Sequence, residues 1–200
     1  TAIGSKKEEL NFELNRQIEK LKLLIPDLIF GFDNETLELV VGRLLKEKKQ
    51  TLSTAESCTG GYISHLVTSI AGSSAYYLGS VVSYANEAKI NELQVAAIDL
   101  ENYGAVSEGV AKQMAFGAKE KFGTDYALAV SGIAGPDGGT EEKPVGTTWI
   151  ALATPETVYA KKFLFGEHRG RNIRKAALAA LNMLRMELLK ISEENKPSSH

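Results

Sequence analysis

The sequence has a single cysteine, Cys58, which excludes an intrachain disulfide and a zinc site built from several thiolates. It also lacks an excess of either charge: 23 basic and 25 acidic residues leave a formal net charge of -2. Because no overall field draws such a chain to nucleic acid or to anionic lipid, we expect neither as a partner. Any phosphate site would have to be local.

Long apolar runs are missing as well. No stretch approaches the length of a membrane span, and residues 1–11 lack the basic-then-apolar order of a signal peptide. We therefore expect a cytoplasmic protein that does not bind membranes. At 200 residues and 44% hydrophobic content, the chain is long enough to bury a sizeable core.

Helical and extended patterns alternate through most of the chain, which favours an α/β fold: a three-layer α/β/α sandwich with a mixed central sheet. The extended patterns cover residues 51–55, 77–84, 126–131, 146–153 and 158–165, and a long helical pattern covers 169–191. We expect three parts: residues 1–34, with a helix ended by Pro26 and a short strand; a main domain over 35–192; and a disordered tail over 193–200.

A small hydroxyl residue, Ser57, stands at a strand-to-helix corner with the sequence A-E-S-C-T-G-G over residues 55–61. One interpretation is an ordinary helix N-cap. The other is chemical: Ser57 points outward, and the free amides of Thr59, Gly60 and Gly61 hold a phosphate or an oxyanion. Cys58 competes with Ser57 as nucleophile, although a lone cysteine at such a place usually packs.

A serine nucleophile needs a base at neutral pH, and the sequence offers two candidates. His168 could serve, but it follows an outer strand. Lys89 lies about one helical turn beyond a strand end marked by Tyr84, with Asn86 as the expected helix cap. A lysine acts as a base only when neutral, so burial or a neighbouring cation would have to lower its pKa. Tyr84 could relay the proton or orient the substrate.

A glycine-rich segment follows the third extended run at residues 132–139. It has neither the Walker sequence nor G-x-G-x-x-G spacing, and no packing argument from the sequence requires so many glycines. Close approach of its backbone to a ribose or a ring is the expected use, through Gly132, Gly135, Gly138 and Gly139.

Arg169, at the start of the last helical pattern, offers a fork of donors suited to a phosphate. In open α/β sheets, ligands bind beyond the carboxyl ends of the strands. We therefore expect Ser57, Lys89, the glycine segment and Arg169 to meet in one crevice.

Taken together, these segments resemble the C-terminal domain of the CinA (competence/damage-inducible protein) family, which also occurs alone as the nicotinamide-nucleotide amidase PncC. The similarity covers about residues 35–190. Its motifs appear in one order, as A-E-S-C-T-G-G at 55, S-Y-A-N-E-A-K at 83, G-A-V-S-E at 104, S-G-I-A-G-P-D-G-G at 131, K-P-V-G-T at 143 and the arginine at 169.

The resemblance implies hydrolysis of the carboxamide of nicotinamide mononucleotide to nicotinic acid mononucleotide and ammonia, without a metal or cofactor. It implies Ser57 as nucleophile, Lys89 and Tyr84 as catalytic partners, Arg169 at the substrate phosphate, and a homodimer. Residues 1–34 resemble the end of the middle domain of full-length members. Two alternatives stay open: a serine-lysine amidase acting on another small amide, and a non-catalytic nucleotide-binding or assembly module of a larger protein.

Overall fold

The computed structural model describes residues 3–25 and 29–194, with side chains as far as residue 190. The chain forms two compact units, and the boundary between them falls between Glu35 and Thr36. That the first unit ends a middle domain of a longer protein stays a prediction.

The first unit contains one helix, α1 (Lys7–Leu24), none of whose residues is buried. Exposed ion pairs three residues apart, such as Lys22 with Glu19, run along it. Pro26 lies outside the described residues. The short strand that was expected in this unit, at the apolar run 28–31, is not formed by residues 29–31, the part of that run that the structure describes. An extended segment is stable as a strand only when it pairs with a neighbouring strand.

The second unit alternates helices and strands, as the sequence pattern predicted. Its elements are α2 (Leu37–Lys48), β1 (Leu52–Glu56), α3 (Tyr62–Thr68), β2 (Tyr77–Val82), α4 (Asn86–Leu93), α5 (Ala97–Tyr103), α6 (Glu108–Phe122), β3 (Tyr126–Gly132), β4 (Thr147–Ala153), β5 (Val158–Leu164) and α7 (Arg169–Glu194). The last helix thus runs two residues into the segment 193–200 that was expected to be a disordered tail; residues 195–200 lie outside the described part.

The strands form one mixed sheet in the order β2-β1-β3-β4-β5. The pairs β1–β2 and β1–β3 are parallel, while β3–β4 and β4–β5 are antiparallel. Apolar residues of α2, α3 and α7 cover one face of the sheet, and those of α4, α5 and α6 cover the other. The predicted three-layer α/β/α sandwich with a mixed sheet is confirmed.

Side chains of the central strand β3 alternate between the two layers, as the strand period of two requires. Tyr126, Leu128 and Val130 face the layer of α2, α3 and α7, whereas Ala127 and Ala129 face the layer of α6. Small residues therefore line the α6 side of the sheet, which allows that helix to lie close to it.

No helix within residues 3–25 and 29–194 combines the length and apolar content needed to cross a bilayer.

Helix α4, which carries Lys89, packs against α6 at Gly117. A Cβ atom built on Gly117 would lie 2.0 Å from the backbone oxygen of Leu93 in α4. We expect Gly117→Ala to lower the free energy of unfolding by roughly 1–3 kcal/mol, because one helix must move away from the other. Gly109→Ala is the matched control on the same helix: no atom lies within 4 Å of its Cβ.

The control should leave stability unchanged or raise it by up to about 1 kcal/mol, through the better helix propensity of alanine. Urea denaturation of both variants measures the difference. Equal stability of the two variants would show that α4 and α6 are not packed at this distance.

Candidate active site

Strand pairing places Ser57 at the carboxyl edge of the sheet. It directly follows β1, and its amide donates to the carbonyl oxygen of Val130 in β3 at 2.9 Å. On the other side, the amide of Ser83, just beyond β2, donates to the carbonyl oxygen of Glu56 at 2.9 Å. The backbone on either side of the Ser57 amide is thus held to both neighbouring strands.

Lys89 reaches Ser57 from the second turn of α4. Its Nζ lies 3.2 Å from the Oγ of Ser57, although the two residues are 32 positions apart in the sequence. The same Nζ donates to the carbonyl oxygens of Ser83 at 2.7 Å and Tyr84 at 3.4 Å. The structure therefore brings the predicted nucleophile and base within hydrogen-bond distance.

The surroundings of Lys89 favour its neutral form. The side chain is only 1% exposed, and burial lowers the pKa of its amine, against smaller opposing effects of Cys58 and Glu87. A neutral amine has two hydrogens and one lone pair. Because the two carbonyl oxygens can only accept, they take the hydrogens, and the lone pair is left for the hydroxyl of Ser57.

A buried carboxylate, Glu56, organises the corner after β1. It is fully buried, and it accepts hydrogen bonds from the amides of Gly61, Ile63 and Ser64 and from the hydroxyl of Ser64, at 2.7–3.1 Å. Glu56 therefore caps helix α3, and Ser57 does not. This role of Glu56 was not predicted, although an acidic residue shortly before a helix is a recognisable capping signal in a sequence.

This arrangement corrects the expected anion site at residues 59–61. The Gly61 amide is bound to Glu56, and the Gly60 amide donates to the carbonyl oxygen of Ser57 at 3.1 Å. Neither is available for an oxyanion. No other described residue accepts a hydrogen bond from the amides of Cys58 and Thr59, which leaves these two as the candidate donors.

The Cys58 side chain is a poor nucleophile in this place. Burial raises the pKa of its thiol to about 12, with a smaller contribution from the Glu56 carboxylate. Since the thiolate is the reactive form of cysteine, Cys58 is almost entirely unreactive at neutral pH. Ser57, with an amine beside it, is the better candidate.

A cleft of about 260 Å³ opens above Ser57. Its lining consists of Ser57, Cys58, Tyr84, Gly132, Ile133, Ala134, Gly135, Asp137, Gly138 and Arg169. Half of the predicted residues thus line one cleft. Six predicted residues do not line it, namely Lys89, which contacts Ser57 from beneath the surface, and Thr59, Gly60, Gly61, Asn86 and Gly139. Asn86 is exposed as the first residue of α4, after Ala85 at the N-cap, and Gly139 lines an adjoining cavity.

Arg169 is the first residue of α7 and enters the cleft from the side of the glycine segment. Its Nη1 donates to the carbonyl oxygen of Gly135 at 2.9 Å, and its Nη2 donates to the hydroxyl of Tyr84 at 3.1 Å. A cation at a helix N-terminus is disfavoured by the helix dipole, and an anion bound beside it would offset that cost.

The contacts of Tyr84 and His168 differ from those expected. The Tyr84 hydroxyl accepts a hydrogen bond from Arg169, whereas Lys89 contacts only the backbone carbonyl of Tyr84. The phenol ring is therefore placed to orient the guanidinium and not to relay a proton between Ser57 and Lys89. His168 accepts a hydrogen bond from the amide of Arg171 through Nδ1 at 3.4 Å. It directly precedes α7 and does not line the cleft, whereas Lys89, the other candidate base, contacts Ser57.

Packing does require several of the glycines, contrary to the expectation from the sequence. A Cβ on Gly132 would lie 2.6 Å from the Oγ1 of Thr148, and one on Gly139 would lie 2.7 Å from the amide nitrogen of Val145. Gly135 has a φ of 87°, and its Cβ would lie 2.5 Å from a methyl group of Val145. The segment is therefore closely enclosed by its neighbours.

No group of three or more His, Cys, Asp and Glu side chains in the described part of the chain is arranged to hold a metal ion. The polar side chains that line the cleft are instead the hydroxyls of Ser57 and Tyr84, the Asp137 carboxyl group and the Arg169 guanidinium, of which the guanidinium suits an anionic group of a small organic molecule.

The fold and the cleft define an α/β protein with a buried serine-lysine pair at the carboxyl edge of a mixed sheet. A sequence profile of the CinA C-terminal domain matches residues 34–188. The chain therefore belongs to the CinA family, as the motifs indicated.

Relatives and solved structures agree with this assignment. A CinA-like protein of Cytophaga hutchinsonii is 50% identical over 191 residues, which cover 96% of this chain and 46% of that protein. One from Flavobacterium psychrophilum is 47% identical over 191 residues, covering 95% and 46%. The chain thus spans about half the length of these curated relatives.

Among solved structures, the competence/damage inducible protein CihA from Agrobacterium tumefaciens is 39% identical, with a TM-score of 0.75 over 80% of this chain and 98% of that one. A CinA superfamily protein from Klebsiella pneumoniae is 35% identical, with a TM-score of 0.74 over 77% and 96%. The described fold is thus the fold of these single-domain proteins.

The raised pKa of Cys58, about 12, predicts a thiol that resists alkylation. At pH 8 only about one molecule in ten thousand carries the thiolate, against roughly a quarter for an ordinary cysteine with a pKa of about 8.5. We expect iodoacetamide to leave Cys58 unmodified in the folded protein and to modify it fully in denaturant, as measured by mass spectrometry. Modification of the folded protein at the rate of a free thiol would contradict the described environment.

The cap formed by Glu56 predicts a large loss of stability in Glu56→Gln. The NH₂ group of glutamine is a donor and would face backbone amides that are also donors. We therefore expect the free energy of unfolding to fall by about 2–3 kcal/mol. Ser64→Ala is the control, because it removes only the hydroxyl contact of the Glu56 carboxylate, together with the contacts of that hydroxyl to Thr54 and Tyr77, and keeps the amide contacts; it should cost about 1 kcal/mol. Denaturation in urea measures both, and a Glu56→Gln variant as stable as the wild type would refute the cap.

Proposed function

We propose that this chain is an amidohydrolase that converts nicotinamide mononucleotide to nicotinic acid mononucleotide and ammonia. The observation that carries the proposal is the contact of 3.2 Å between the Lys89 amine and the Ser57 hydroxyl, at the floor of a cleft that also contains Arg169. A nucleophile, its base and an anion anchor are the groups that hydrolysis of an anionic carboxamide needs.

In the first half of the reaction, neutral Lys89 accepts the Ser57 proton while Oγ attacks the carboxamide carbon. The amide of Cys58, a residue that lines the cleft, stabilises the negative charge that develops on the carboxamide oxygen. The Lys89 ammonium then donates its proton to the leaving nitrogen, the carbon–nitrogen bond breaks, and ammonia departs. The nicotinoyl group remains as an ester on Ser57.

In the second half, water replaces ammonia in the cleft. Lys89, neutral again, removes a proton from the water as the water attacks the ester carbon. Collapse of the tetrahedral intermediate breaks the bond to Oγ, and Ser57 recovers its proton from Lys89. The product carries a carboxylate where the substrate had a carboxamide.

Binding of the nucleotide is assigned to Arg169 and its neighbours. Gly135 and Tyr84 each accept one hydrogen bond from a terminal nitrogen of Arg169. The remaining N–H groups of the guanidinium are assigned to the substrate phosphate. The glycine segment lines the same cleft as Ser57 and Arg169, through Gly132, Gly135 and Gly138, and we assign the ribose and ring to it.

We expect Ser57→Ala and Lys89→Met to lose at least about a thousandfold in kcat, because each removes a group that forms or breaks a bond. Ammonia and nicotinic acid mononucleotide are measured in parallel. Lys162→Met, which changes an exposed lysine on β5, is the matched control and should keep full activity. If the wild type binds the nucleotide but releases no ammonia, the alternative of a non-catalytic nucleotide-binding module is favoured. If it hydrolyses other carboxamides faster than nicotinamide mononucleotide, a serine-lysine amidase acting on another small amide is favoured.

The lowered pKa of Lys89 predicts the pH dependence. The base acts when neutral, so kcat/KM of the wild type should rise with pH and level off above the pKa of Lys89. Because burial lowers that pKa, levelling should occur below pH 10.4, the ordinary pKa of a lysine being about 10.4. A profile that still rises above pH 10.4 would show that the Lys89 amine is not desolvated in the free enzyme.

A further inference from the structure

Asn172 is a buried polar residue on a helical face that is otherwise apolar. It lies in the first turn of α7, and four-residue steps from it lead to Ala176, Ala180 and Leu184, which are buried in the core. Asn172 itself is only 3% exposed. Burial of an amide costs free energy unless its hydrogen bonds are made, so its partners indicate why it is there.

Both partners of the Asn172 amide group belong to the backbone around the cleft. Nδ2 donates to the carbonyl oxygen of Ala134 at 3.0 Å and to that of Gly166 at 2.8 Å. Ala134 is in the glycine segment, and Gly166 is in the loop that leads into α7. One side chain thus ties the lining of the cleft to the start of the helix.

Arg169 contacts the same segment one residue further along. It precedes Asn172 by one helical turn and donates to the carbonyl oxygen of Gly135, the residue after Ala134. Gly135 is closely enclosed, because a Cβ built on it would lie 2.5 Å from a methyl group of Val145 and 3.1 Å from the carbonyl oxygen of Glu167. A shift of Ala134 would therefore move Gly135, and with it the acceptor that orients the guanidinium.

We propose that Asn172 is a positioning residue that fixes the orientation of Arg169 through the glycine segment, and so sets the affinity of the cleft for the phosphate of the substrate. This inference rests on the proposed function, since it assigns the phosphate to Arg169. Asn172 does not line the cleft, so its effect on the substrate is indirect. A merely structural role would instead affect stability and every substrate alike.

The test is a double-mutant cycle of Asn172→Ala and Arg169→Ala, with nicotinamide mononucleotide and its phosphate-free riboside as substrates. We expect Asn172→Ala to raise KM for the nucleotide about tenfold, to leave kcat within about twofold, and to leave kcat/KM for the riboside unchanged. In the Arg169→Ala background, Asn172→Ala should have no further effect. Asn182→Ala, a substitution of the same kind further along α7, should change none of these values.

Equal losses for both substrates, or effects of Asn172→Ala that persist without Arg169, would overturn the inference. Asn172→Ser, which keeps one donor, provides a second variant if the alanine variant does not fold, and should give a smaller rise in KM of the same selectivity. If the wild type hydrolyses neither compound, the proposed function fails, and the same cycle is then measured as binding of nicotinamide mononucleotide by calorimetry. Coupling between the two residues in binding would still support the inference, and additivity would refute it.

Discussion

A lysine amine buried against a serine hydroxyl is the interaction on which the rest of this site depends. Burial of an ammonium group at this place costs free energy, which lowers the pKa of the Lys89 amine. The carbonyl oxygens of Ser83 and Tyr84 accept hydrogen bonds from that amine. Those carbonyls belong to the segment that leaves β2, and the amide of Ser83 is itself bound to the carbonyl oxygen of Glu56. The pairing of β2 with β1 therefore positions the acceptors that take the amine's hydrogens and leave its lone pair for Ser57. Burial lowers the pKa of this amine and so favours the protonation state that a base requires, while the backbone geometry of the sheet holds the amine against Ser57.

The start of helix α3 shows how a fold can use an apparent anion site for itself. Glycines after a strand usually free amides for a ligand, but here the Glu56 carboxylate takes up the amides of Gly61, Ile63 and Ser64. A negative charge one residue before the nucleophile would disfavour an oxyanion; the partial positive charges of the helix start offset it. The amides then stabilise the corner that holds Ser57. Of the residues beside Ser57 from whose amides no other described residue accepts a hydrogen bond, Cys58 lines the cleft, and Arg169 lines the same cleft.

The fold could be predicted from the sequence because its signals are local and repeated, such as the alternation of Tyr126, Leu128 and Val130 with alanines in β3. Ser57, Lys89 and Arg169 could be proposed because a hydroxyl, an amine and a guanidinium after strand ends are chemically distinctive. The carbonyl of Ser83 could not be found, since every residue has one and only the tertiary structure directs it. The close packing of Gly135 and Gly139 depends on Val145 and was equally invisible. Asn172 differs: a polar residue on an apolar helical face is a signal that the sequence itself carries.

The arrangement of the cleft follows from the order of the strands. β1, β2 and β3 are neighbours and parallel, so their carboxyl ends meet at one edge. The chain leaving β1 provides the hydroxyl of Ser57, the chain leaving β2 leads to the amine of Lys89, and the chain leaving β3 provides the glycine segment that orients Arg169. Because each group is held by a strand end or by a helix packed on the sheet, little ordering is needed when a ligand binds, and preorganisation of this kind favours affinity.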